Sequence, residues 1–206
     1  MLRVRWSLAT LAATVIAGCG VILPSPFHLS RSELEVEEQR IEAVTGPRFL
    51  PWASTEPYLI VVDKTERKLT VFHYGKEVRV FPVVLGRGQG RKLWEGDRRT
   101  PSGVYHISHK RSHARYHRFL DFDYPNPSDL AHFQYALARG EVPQEGQAAR
   151  PGALLGIHGS DKEDLNRVGV NWTYGCVALM NRDIEELYEM VPEGTVLLIQ
   201  DAERPW

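Results

Sequence analysis

Three β-rich runs in close succession constrain this chain more than any other feature. YLIVVD, RKLTVFHY and KEVRVFPVVL follow one another from Tyr58 onward. β-branched and aromatic residues dominate each run, and such residues suit the pleated, half-buried surface of a sheet. Tyr74-Gly75-Lys76 reads as a hairpin turn between the second and third runs. Further strands are expected at GVYHIS (103–108), ALLGI (153–157) and TVLLI (195–199). Two helices stand out. One runs from Ser128 or Asp129 to Arg139, with Gly140 as its stop. The other takes Asn181 as N-cap and places Asp183, Glu185 and Glu186 where the helix dipole favours them. Ile184, Leu187, Tyr188 and Val191 share one face of it and read as core. The expectation is a mainly β, sandwich-like domain with a few peripheral helices.

The 206 residues suit one domain with chain left over for a leader and a linker. A net charge of −1 gives no field that points to nucleic acid or to an anionic membrane surface. The N-terminus, MLRVRWSLATLAATVIAGC, has Arg3 and Arg5, then an apolar stretch, then small residues before a cysteine. That is the shape of a secretory signal. Its apolar part is shorter than the ~20 residues a spanning helix needs. Ile16-Ala17-Gly18-Cys19 resembles a bacterial lipobox, which implies acylation of Cys19. Gly20, rather than an aspartate, follows, so the expected place is the cell envelope, facing the periplasm from the outer membrane in a Gram-negative host. The chain then divides into a signal (1–18), a lipid-anchored linker (19–56), a catalytic domain (57–200) and a short tail (201–206). Within the linker, Ser32 and Glu35 have capping-box spacing for a short surface helix.

Cys19 and Cys176 are the only cysteines. With Cys19 acylated, Cys176 has no disulfide partner. An unpaired thiol in an oxidising compartment is either a small buried hydrophobe or is kept for its reactivity. A thiol attacks carbonyls as thiolate and needs a base or an electropositive setting. The nearest upstream histidine, His158, sits in GIHGS, with seventeen residues between it and Cys176. That length lets the chain turn back and set the two side chains on neighbouring strand ends. Gly159 follows the histidine and Gly175 precedes the cysteine. Glycines allow the tight turn that aims backbone N–H groups at one point, which is how an oxyanion hole forms without side chains.

IHGS followed by NWTYGCVALMN resembles the signature of the YkuD-type L,D-transpeptidases: a histidine, then Ser or Thr, a variable or His position, Gly and Cys. YLIVVDKTERKLTVF, VVLGRG with GDRRTPSGVYHI, FDYPNPSDLAHFQYALARG and VPEGTVLLI extend the resemblance, in order, over roughly 57 to 200. It implies a cysteine acyl-enzyme acting on peptidoglycan stem peptides. It implies Cys176 as nucleophile, His158 as base and later acid, and the Gly159 carbonyl as orienter of the imidazole. The amides of Cys176, Gly175 and Tyr174 would hold the oxyanion. Two departures stand out: many relatives have histidine at the place of Tyr174, and arginine at the place of Ala178. An arginine there can grip a substrate carboxylate; alanine cannot.

Around this core, HKRSHARYHR (109–118) reads as a solvated basic loop, with Arg111 or Arg115 as candidate replacements for the absent arginine. Thr173 and Trp172 are candidate substrate contacts, and Asp97, Thr100 and Gly103 read as turn residues shaping one wall of the cleft. His106, His109, His113 and His117 lack the carboxylate or thiol that would complete a metal-ligand pattern, so neither metal nor cofactor is expected. The expected protein is a monomer whose partners are stem peptides and, through its anchor, a membrane, but not nucleic acid. Competing readings are an L,D-carboxypeptidase, a hydrolase that releases wall-bound protein, and a non-catalytic peptidoglycan-binding module.

Overall fold

The computed structural model describes residues 56–143 and 150–201. The expected signal, Cys19, the linker helix near Ser32 and most of the tail lie outside the described residues. Among the described residues, eleven elements follow in order: β1 (Tyr58–Asp63), β2 (Lys68–His73), β3 (Lys76–Pro82), β4 (Gly103–His113), β5 (His117–Phe122), α1 (Pro127–Ala138), β6 (Gly156–His158), α2 (Glu163–Arg167), β7 (Val177–Ala178), α3 (Asn181–Met190) and β8 (Val196–Gln200). The strands form one sheet in the order β3-β2-β1-β8-β4-β5-β6-β7. The mainly β architecture expected from the sequence is the one observed.

β2 and β3 are joined by a two-residue turn, Tyr74–Gly75, with φ of 47° and 74°. Positive φ at both positions matches the right-handed twist of the flanking strands. β4 is the hinge of the sheet. Its first residues pair with β8; from Ile107 onward it pairs with β5, with an irregularity between Ile107 and His109. A bulge of this kind bends a strand and lets it serve two parts of a curved sheet. The chain beyond β3 then returns to the far edge: Val84 N donates to Ala178 O (2.9 Å), and Ala178 N to Val84 O (2.8 Å). The sheet is thereby closed on itself around the main core, in which Ile60, Leu69, Tyr105, Ile107, Leu120, Ile157, Val177 and Leu197 are buried.

Three expectations are corrected here. HKRSHARYHR is a hairpin, with 109–113 continuing β4 and His117 opening β5. Its charges hid the strand because only one face of it is covered. ALLGI supplies no strand over its first three residues; β6 begins at Gly156. Asn181 is the first helical residue of α3, and Met180 is its N-cap. For α1 the cap is Asn126, which forms a capping box with Asp129 (3.1 and 3.0 Å), and the helix begins at Pro127, one to two residues before the expected start. The apolar face of α3 packs as expected, with Ile184, Leu187 and Val191 in the main core and Tyr188 against it. Each such buried side chain contributes about 2 kcal/mol, which holds the helix on the sheet behind the site.

Candidate active site

The sheet register sets two rows of residues side by side. Arg111 of β4 lies opposite Phe119 of β5, Phe119 opposite His158 of β6, and His158 opposite Ala178 of β7. Two residues along, Asp121 lies opposite Gly156, and the parallel register carried back from Ile157–Val177 puts Cys176 beyond it. Residues two apart on a strand face the same side. Cys176 immediately precedes β7, so this register, extended by one residue, sets it beside Gly156 and diagonal to His158. Gly156 stands between Asp121 and Cys176, and the space a side chain would need is already filled: a Cβ would lie 2.1 Å from the Phe119 ring and 2.6 Å from Leu120 O.

His158 is held on all sides. Its ring stacks on Tyr116 (centroids 4.3 Å apart) and Phe119 (5.2 Å), and meets the edge of Trp172 at 6.0 Å. Nδ1 is 2.5 Å from Gly159 O. A carbonyl only accepts, so Nδ1 carries the proton and Nε2 is the nitrogen free to take another. Gly159 is itself fixed: its N–H donates to Tyr116 O (3.0 Å) and Arg118 O (3.2 Å). A Cβ at Gly159 would collide with Asn181 Oδ1 at 2.5 Å and Tyr116 O at 2.6 Å. No other residue type allows this approach.

Burial dominates the electrostatics. It pushes His158 down to about 4, against the opposing effect of the hydrogen bond that the imidazole donates to Gly159 O. It pushes the Cys176 thiol up to about 11, partly offset by a backbone hydrogen bond from Gly156. The resting pair is neutral imidazole and neutral thiol.

The turn before Cys176 is equally constrained. Gly175 has φ of 134°, a conformation closed to most side chains, and its Cβ position is 2.8 Å from Arg99 O. Thr173 Oγ1 donates to Cys176 O (2.7 Å) and accepts from Gly175 N (3.2 Å). Thr173 is thus a buried brace of the turn and not an exposed substrate contact. The Gly175 amide, expected as an oxyanion donor, is occupied by that brace. Trp172 is buried as well; Nε1 donates to Asn166 Oδ1 (2.7 Å), and the ring is a wall behind His158 rather than an open stacking platform. Ala178 is fully buried with Val84 and Trp172.

Arg111 and Arg115 both lie at the site's margin, and both already have partners. Arg111 binds Asp121 through Nε (2.8 Å) and Nη2 (3.3 Å) and lies over Phe119. Arg115 Nε binds Asp161 (2.6 Å), with its guanidinium over Tyr116. Asp97 organises the 92–99 segment, accepting from the amides of Leu93 (2.7 Å), Trp94 (3.2 Å) and Arg99 (3.0 Å) and from buried Lys92 (2.8 Å). Thr100 Oγ1 accepts from Gly86 N at 2.9 Å. Among the described residues, no group of three or more His, Cys, Asp or Glu side chains could hold a metal ion.

Sequence reasoning missed the polar support behind the histidine. Asn181 Oδ1 accepts from Ser160 N (2.8 Å) and its Nδ2 donates to Ser160 O (3.0 Å). Asn166 Nδ2 donates to Leu179 O (2.8 Å), while its Oδ1 also accepts from Ser160 Oγ (3.2 Å). These side chains tie the 158–160 segment to the 179–181 segment. The only sequence signal was the polar pair of residues at the ends of two apolar runs, Ser160 and Asn181.

Comparison with known proteins gives the family. Residues 57–199 match the family of L,D-transpeptidase catalytic domains called YkuD. A Bacillus subtilis (strain 168) protein, named provisionally as the L,D-transpeptidase YqjB, is 26% identical over 149 residues, covering 72% of this chain and 74% of its own. The structure of Pgp2, the helical cell shape determining protein of Campylobacter jejuni, is similar with a TM-score of 0.50 and 22% identity, over 71% of this chain and 48% of that one. Bd1075 of Bdellovibrio bacteriovorus gives a TM-score of 0.49 and 25% identity, over 70% of this chain and 48% of that one. The chain spans about half the length of these two solved relatives, and the likeness to Pgp2 is one of fold.

Proposed function

The chain belongs to the YkuD family of L,D-transpeptidase catalytic domains, and from that premise we propose that it is a cysteine acyltransferase working on peptidoglycan stem peptides. The observation that carries the reading is the His158 imidazole, its tautomer set by Gly159 O at 2.5 Å, on a strand paired in parallel with the one that Cys176 immediately precedes. In this reading Cys176 Sγ attacks the carbonyl carbon of an L-centre in a tetrapeptide donor. Its proton passes to His158 Nε2, and the developing oxyanion is met by the amides of Cys176 and Tyr174. Collapse breaks the peptide bond, and the leaving D-residue departs as an amine that takes the proton from His158. A thioester remains on Cys176. An acceptor amine, such as that of a diaminopimelate side chain, then gives a proton to His158, attacks the thioester carbonyl and releases the thiol.

A neutral starting pair suits this sequence, because the base withdraws the proton as the bond forms. We further propose that Cys19 is the lipid-bearing residue and that the domain works in the envelope, tethered to a membrane.

The test is product analysis. Muropeptide tetrapeptides are incubated with the full chain, and with Cys176→Ala and His158→Ala beside it. A cross-linked dimer is expected from the unmodified chain and none from either variant. Tripeptide as sole product reassigns the acceptor to water and the activity to a carboxypeptidase. Undiminished function in Cys176→Ala reduces the domain to a binding module.

A further inference from the structure

Ala178 leaves an unanswered requirement. It is wholly enclosed by Val84 and Trp172, so nothing at that position reaches a substrate carboxylate. Arg111 and Arg115 are each neutralised by a carboxylate of the chain itself, Asp121 and Asp161. Arg98 is different. Its guanidinium carbon lies 5.3 Å over the ring of Tyr174, the residue two before Cys176. Arg98 is exposed, Tyr174 is 65% exposed, and Arg98 has no carboxylate partner among the described residues.

The base of this arginine is rigid. Arg98 has φ of 58°, the left-handed region, without being glycine. Its carbonyl accepts from Gly88 N at 2.8 Å, and a Cβ on Gly86 would stand 2.2 Å from the same oxygen. Next in the chain, Arg99 O abuts Gly175, where a Cβ would come to 2.8 Å. Residues 98–99 are therefore wedged between the glycines of the 86–88 segment and the turn that presents the thiol. Non-glycine residues persist in such backbone only where the surroundings enforce it, and these positions cluster at functional sites.

We propose that Arg98, laid across Tyr174, is the carboxylate-recognising element of the site and takes the part that an arginine at position 178 cannot play here. The inference rests on the acyl-transfer reading of Cys176. Its ligand is the free carboxylate of a peptide D-centre, on the terminal residue of the donor or on the acceptor. The planar guanidinium can bind both oxygens at once while its face stays on the tyrosine ring. This also gives Tyr174 a role: an aromatic platform where many relatives carry histidine.

The experiment compares the full chain with Arg98→Gln and Arg98→Lys on two substrate series. One pairs a tetrapeptide donor ending in a free carboxylate with its carboxamide. The other pairs an acceptor bearing a free D-centre carboxylate with its amide. The unmodified chain should favour one free acid by about tenfold in kcat/KM. Arg98→Gln should erase that preference through KM while leaving the amide unchanged, and the amide rate shows that the variant is folded. Arg98→Lys should retain part of it. The series in which the preference collapses names the source of the carboxylate. Full preference retained by Arg98→Gln in both series overturns the inference and leaves the acyl-transfer reading intact. No turnover of any donor by the unmodified chain overturns both.

Discussion

At the residue scale, the proposed chemistry begins from two uncharged groups. Burial holds His158 at about 4 and the Cys176 thiol at about 11, so at neutral pH the thiol keeps its proton and the imidazole is ready to receive it. The sign of the pH dependence follows. Below about 4 the imidazole is protonated and cannot act as base; kcat/KM should fall on that side and stay level above it into the neutral range. The thiolate population grows tenfold per pH unit until about 11. Alkylation of Cys176 by iodoacetamide should therefore still be climbing at a pH of about 9. A plateau reached below neutrality would reveal a preformed thiolate–imidazolium pair and contradict this assignment. The histidine, the cysteine and their glycine neighbours stood out in the sequence because the proposed chemistry needs those residue types. Thr173 and Gly175 were legible only as a pattern: the hydroxyl that spans Cys176 O and Gly175 N depends on a turn with φ of 134°, which spacing alone does not specify.

At the scale of elements, the site is made by register. β6 is three residues long and β7 two, too short for any periodicity to declare them. Their pairing is fixed from outside, by β5 on one edge and by the Val84–Ala178 bridge on the other. The longer strands β1 to β3 declared themselves through dense β-branched runs and the Tyr74–Gly75 turn. The β4–β5 hairpin did not, because its outward positions are histidine, lysine and arginine, which read as loop when sheet pairing is unseen. Asn181 misled for a related reason: it is a good capping residue by type, yet its side chain is spent on Ser160. The same register makes a sharp prediction for β7. Ala178→Arg puts a long cation into the space enclosed by Val84 and Trp172. The cost should be about 3 kcal/mol or more, read as a lowered urea midpoint at unchanged m. An unchanged midpoint would mean that this position has an exit to solvent.

At the scale of the whole molecule, a closed sheet carries the site on one face. The polypeptide ahead of residue 56 carries the proposed lipid on Cys19. Metabolic labelling with a fatty-acid analogue should mark the chain and fail to mark Cys19→Ala; equal labelling of the two would remove the anchor from the account. The family, matched over residues 57–199, was legible because its segments occur in order along the chain, so the same elements that build the sheet also carry the motif. The supporting asparagines were not, since Asn166 and Asn181 act through contacts between segments distant in sequence.

The central claim is that Cys176 carries the acyl group. Its most direct test is the intact mass of the protein after brief mixing with a stem tetrapeptide. An adduct equal to the tripeptide acyl group should appear on Cys176 and decay as acceptor is added, and Cys176→Ala should show none. Turnover of the tetrapeptide by Cys176→Ala at the unmodified rate would contradict the account outright.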